Sequence, residues 1–76
     1  MFSHIELNVS DLSVSVAFYL SVLEPLGFRK ADSSSQYARL SNGRDAVIVL
    51  CPVEEAYKER AYHRKAVGLG HIAIAV

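Results

Sequence analysis

The sequence predicts an α+β fold, one helix packed on a sheet, and three features of its 76 residues predict it. Ser3-His4-Ile5-Glu6-Leu7-Asn8-Val9 and Gly70-His71-Ile72-Ala73-Ile74-Ala75-Val76 share His, Ile and Val at the same places and alternate as half-buried strands do. Leu12, Val16, Tyr19, Leu20 and Leu23 recur at helical spacing. Asn42-Gly43 sits between two apolar runs, as in a hairpin. A repeat of the first kind indicates a duplicated unit. The chain is therefore expected to hold one complete module over residues 1–52, a linker over 53–69, and the first strand of a second, truncated module over 70–76.

The elements follow in order. Residues 3–9 form the first strand, and Ser10-Asp11 supplies the cap of a helix from Leu12 to Leu23. Ala17 lies beside its apolar stripe, while Ser13, Ser15 and Ser21 are expected mostly outside. Pro25 disfavours continuation, and Gly27 is the expected C-cap before Phe28. Phe28 to Asp32 is expected as a short edge strand that Arg29 and Lys30 protect from unwanted pairing. Ser33-Ser34-Ser35 then turns the chain into a strand from Gln36 to Leu40. Ser41-Asn42-Gly43-Arg44 predicts a type I′ turn, because that turn needs positive φ at both central residues. The returning strand, Ala46 to Cys51, is ended by Pro52. Beyond it, Glu54 and Lys58 at i,i+4 support one or two helical turns in a mobile linker.

Composition bounds the function. The chain is 51% hydrophobic and 21% charged, with eight basic and eight acidic residues. Such a balance gives no electrostatic reason for a nucleic acid or an anionic membrane as partner. The apolar run Ala46–Cys51 is far short of the roughly 20 residues a membrane span needs, and the N-terminus lacks the regions of a signal peptide. A cytoplasmic location is expected, in keeping with the single cysteine, Cys51. Small domains bury a modest share of their chain, and the continuous apolar run marks a strand buried on both faces. One helix covers one face only. The other is expected to meet a second polypeptide, either a missing second module or a second copy in a homodimer.

The residues His4-Ile5-Glu6-Leu7-Asn8-Val9-Ser10-Asp11-Leu12, Ala17-Phe18-Tyr19, Leu23 through Gly27-Phe28, and His63-Arg64 with Val67-Gly68-Leu69-Gly70-His71-Ile72-Ala73 carry a resemblance. In that order they resemble the glyoxalase, bleomycin-resistance and extradiol dioxygenase superfamily, the vicinal oxygen chelate fold. The resemblance implies a βαβββ module with its helix on a curved mixed sheet, followed here by an extra C-terminal strand. Two such modules pair around a metal or ligand site. Members commonly bind a divalent ion through a first-strand His and a last-strand carboxylate of each module, and His4 and His71 match the two His positions. Both are then expected on the concave side with Glu6, Asn8, Ala73 and Ala75. Ile5, Leu7, Val9, Ile72, Ile74 and Val76 would face the helices.

Imidazole suits a transition metal such as nickel, zinc, iron or manganese. The first carboxylate, however, falls at Val49, which ligates nothing, and Glu6 is the substitute this chain offers. Plainer readings stand beside these. His4 and His71 also suit a cavity lining or an interface. Cys51 reads as an apolar filler, His63-Arg64 as a solvated pair, and Phe18-Tyr19 as core. Asn8, Val47 and Val49 are the candidate substrate contacts.

Three functions remain open on these residues. The first is a metal-dependent lyase or dioxygenase, in which the ion polarises vicinal oxygens. The second is a metal-free module whose apolar cup takes a small hydrophobic or aromatic compound. The third is a self-associating protein without catalysis, whose 71–76 strand pairs beside a 3–9 strand.

Overall fold

The computed structural model describes residues 2–60, 63, 65–73 and 75. Strand β1 (Ile5–Val9) leads into helix α1 (Leu12–Leu23), and a 3-10 turn (Glu24–Leu26) follows. Then come β2 (Arg29–Ser33), β3 (Ala38–Ser41), β4 (Val47–Pro52) and a second 3-10 turn (Glu55–Tyr57). The sheet order is β1-β4-β3-β2, with β1 and β4 parallel and the other neighbours antiparallel. This is the expected α+β module, a helix on a four-stranded mixed sheet.

Local chemistry sets each boundary. Asp11 is extended, and its carboxylate accepts from the Val14 N–H at 3.1 Å, satisfying an amide that the first helical turn leaves unpaired. At the far end Gly27 takes φ +90, a left-handed conformation that costs glycine nothing, and its N–H returns to the Glu24 carbonyl. β1 alternates half-buried Ile5, Leu7 and Val9 with exposed Glu6 and Asn8. Leu7 and Val9 pack against the core cluster that holds Ile48 and Leu50.

The core is small. Leu23, Phe28, Ala38, Leu40, Ile48 and Leu50 are buried, with Leu40 and Leu50 fully enclosed, and no polar side chain is buried among the described residues. All of it lies between α1 and the sheet.

Several expectations are corrected. The β3–β4 connection is not a type I′ turn: Gly43 has φ +76, but no non-glycine described residue has positive φ. Ser41 pairs with Val47, so the loop is five residues wide. The Asn42 side chain holds it, its Oδ1 accepting from the backbone N–H groups of Arg44, Asp45 and Ala46 at 3.0 to 3.1 Å. Asparagine thus serves as an acceptor here rather than for its tolerance of positive φ. After β4, Lys58 pairs with Glu55 at 3.3 Å rather than with Glu54, since a 3-10 turn brings i and i+3 together. Residues 70–73 and 75 carry no strand assignment, while Ile74 and Val76 lie outside the described residues. A strand needs a ladder partner, and the described ladders join β1, β4, β3 and β2 alone. Ser15 is half-buried, whereas Val14, Phe18 and Val22 form an exposed apolar stripe on the outer face of the helix.

Candidate functional site

The sheet has two unlike faces. α1 covers one. The other is open, and period-two alternation with the strand registers assigns its residues. Glu6, Val49, Arg39 and Asp32 stand in one row across all four strands, and Asn8 faces Cys51 in the next. Val47, Val49 and Cys51 are half-buried along the middle, flanked by exposed Glu6, Asn8 and Arg39. The expectation of a strand covered on both faces is therefore met on the helix side alone.

Two polar groupings shape this face. Arg39 Nε donates to Asp32 Oδ1 at 2.8 Å, and the Tyr37 hydroxyl donates to Asp32 Oδ2 at 2.9 Å. The Arg39 hydrogen bond, followed by that of Tyr37, holds the Asp32 carboxyl below its ordinary value, and the same carboxylate raises the Tyr37 phenol. On the β1 side, burial pushes the Cys51 thiol up, helped by the negative charge of Glu6 and a hydrogen bond to it. The shift favours the neutral thiol, the form that packs as an apolar filler.

A cavity of about 630 Å³ lies at the end of the sheet where β1 and β4 begin. Its walls are Tyr19 of the helix, Phe28, Ala46 and Val47, with Phe2 at one side and Leu69, Ile72 and Ala73 at another. Ser3, His4, His71 and Asp45 supply the polar points. The fold brings His4 and His71, at opposite ends of the chain, to one cavity. His4 Nδ1 shares a 2.9 Å hydrogen bond with the Ser3 hydroxyl. Asp45 is tied by the Asn42 amide at 3.0 Å, which lowers its carboxyl pKa.

The remaining predicted residues separate. Val47 lines the cavity, whereas Glu6, Asn8 and Val49 stand on the open sheet face. A catalytic metal site takes three protein ligands. Two imidazoles meet the donor chemistry, but among the described residues no three His, Cys, Asp or Glu side chains form a group able to hold an ion. Glu6 lies beside Cys51 rather than at the cavity. These residues alone do not fit a metal, and Val49 stands where the carboxylate was expected. Sequence reasoning missed Phe2, Tyr19, Phe28 and Asp45 as cavity residues. They come from four separate segments, and no local pattern joins them.

Architecture and comparison agree on the class: this is a glyoxalase-like α+β module. The chain is similar to the crystal structure of a candidate glyoxalase from Bacillus halodurans, with a TM-score of 0.84 and 32% identity over 95% of this chain and 53% of that one. It is also 37% identical over 70 residues to the uncharacterised protein YqjT of Bacillus subtilis, covering 92% of this chain and 54% of that protein. The chain thus spans about half the length of each. No family model matches it. Among the described residues no helix is long and apolar enough to cross a membrane.

Proposed function

We propose that this chain is a small-molecule-binding module of the glyoxalase superfamily, whose end cavity takes a compact hydrophobic or aromatic compound. One observation carries the reading. The cavity's volume lies within the roughly 300 to 1,000 Å³ typical of ligand sites, and aromatic and aliphatic walls surround a few polar groups. The apolar walls remove the ligand's carbon surface from water, while His4 and His71 offer ring nitrogens to an oxygen-bearing substituent. A cytoplasmic location belongs to the same reading, with the unpaired Cys51 as support.

A thermal-melting titration with naphthol in the presence of EDTA tests it. The melting temperature rises with ligand, the rise disappears in Val47→Trp, and it shrinks in His71→Ala. A flat titration in the folded wild-type chain refutes the reading.

A second reading is favoured by the meeting of His4 and His71 in one cavity. It is a divalent-metal lyase or dioxygenase whose missing ligands come from another polypeptide. Stoichiometric nickel, zinc, iron or manganese in the purified chain, lost in His71→Ala, supports it over the first.

A further inference from the structure

The end cavity changes character with depth. Its floor is apolar and aromatic, with Phe28 buried and Tyr19 half-buried. Its rim is exposed and carries the Phe2 ring, the two imidazoles and the Asp45 carboxylate. No lysine or arginine lines it. The imidazoles of His4 and His71 add hydrogen-bonding nitrogens without a fixed charge. Among the lining residues Asp45 therefore supplies the permanent charge, and its sign is negative.

The β3–β4 loop holds that charge in place. The Asn42 side chain accepts from the Asp45 backbone N–H at 3.1 Å and donates its amide to Asp45 Oδ1 at 3.0 Å. The donated bond lowers the carboxyl pKa, which favours the ionised form. Among the described residues no other side chain hydrogen-bonds to Asp45. Arg44 acts on it electrostatically but forms no ion pair with it and stands outside the cavity lining.

We infer that the ligand of this cavity is an aromatic amine in its cationic form, its ring system on the floor and its ammonium group at the rim with Asp45. The inference rests on the binding reading above and narrows it from hydrophobic compounds in general to one sign of charge. Depth decides the orientation. The ring system gives up water to the apolar floor, while an ammonium at the exposed rim keeps part of its hydration and incurs little of the penalty of full burial. There it meets an opposite charge and the negative face of an aromatic ring, Phe2. An anionic head group at the same place meets Asp45 as a like charge. A neutral one gains from the walls alone. A divalent ion is a poor occupant, because one carboxylate among apolar walls cannot replace its shell of several oxygen ligands.

Calorimetric titration of the 76-residue chain at neutral pH, in low salt with EDTA, tests the inference with three probes of one shape: naphthylmethylamine, which is protonated under these conditions, naphthalenemethanol and naphthoate. The amine binds about tenfold more tightly than the alcohol, the effect expected of one partly exposed ion pair with a ring contact, and naphthoate binds most weakly. Raising the salt to about 0.5 M removes most of the amine's advantage. Asp45→Asn keeps an acceptor for the Asn42 amide but removes the charge, and brings the amine to within about twofold of the alcohol. The ratio of the two affinities is the readout, so a general change in the cavity cancels. An amine that binds no better than the alcohol, or an advantage that survives both Asp45→Asn and high salt, overturns the inference and leaves the binding reading standing. Failure of all three probes to bind the folded chain overturns both, so the two failures are distinct.

Discussion

Arg39 and Asp32 meet at 2.8 Å because the register between β2 and β3 slips by one residue. Lys30 pairs with Leu40, but the next pair is Asp32 with Arg39, leaving Ala31 as an extra residue. A regular ladder would send Asp32 to the helix side, where a carboxylate would face Leu40 and Ala38. The bulge turns it to the open face, onto the guanidinium.

Acid stability follows from that pair. The Asp32 carboxyl lies below its ordinary 3.8 in the folded chain, first through its hydrogen bond from Arg39 and then through that from Tyr37. Its contribution is complete above the unfolded value of 3.8 and is lost as pH falls through the lower folded value. Melting temperatures measured from pH 6 downward should fall below about pH 4, and Asp32→Asn should flatten part of that fall while lowering the plateau. A variant with an unchanged acid limb refutes the assignment.

Tyr37 gives the opposite sign at the other extreme. Its phenol is raised from 10.0 by donating to Asp32, so the folded state favours the neutral form. That stabilisation is present below the unfolded value and disappears as pH rises through the folded one. Ultraviolet titration of phenolate should show one tyrosine ionising late. Tyr37→Phe should remove that component, and Asp32→Asn should return it toward its ordinary value.

Much of the fold was legible because its determinants are local. α1 runs from Leu12 to Leu23 as its periodicity predicts, since Asp11 at one end and the Pro25-Gly27 pair at the other are cap signals within a turn of the helix. Strand alternation in Ile5–Val9 placed the two faces of β1 correctly. The Asn42 loop departs from the type I′ turn because Asn-Gly is compatible with more than one geometry, and the β3–β4 register, with Ser41 opposite Val47, leaves five residues to span. The cavity was only half legible: His4 and His71 announced themselves by repetition, but Tyr19, Phe28 and Ala46 become neighbours only through packing.

The core should have little tolerance for voids. Among the described residues Leu40 and Leu50 are the fully enclosed large side chains, one on each of the neighbouring strands β3 and β4. Leu40→Ala should cost about 2 to 5 kcal/mol. A whole small domain has a margin of about 5 kcal/mol or somewhat more, so the variant should be largely unfolded by mild urea. An exposed control, Val14→Ala, should change the urea midpoint little. Equal effects from the two substitutions would mean that the core is not where the strands place it.

Gly27 tests the helix exit separately from packing. At φ +90 it ends the 3-10 turn and aims the chain so that Phe28, 4% exposed, enters the core and lines the cavity. A Cβ built there meets nothing within 4 Å, so Gly27→Ala suffers no clash. The cost is backbone strain alone, about 1 to 2 kcal/mol for a left-handed non-glycine residue. Gly27→Asn should recover part of it, since asparagine tolerates that region better than alanine. Because Phe28 forms one cavity wall, relaxation of the alanine variant to negative φ should also weaken naphthol binding, whereas strain held in place leaves binding intact at reduced stability. Melting and binding measured together on both variants distinguish the two. An alanine variant as stable as the parent would show that the left-handed exit is not what places Phe28.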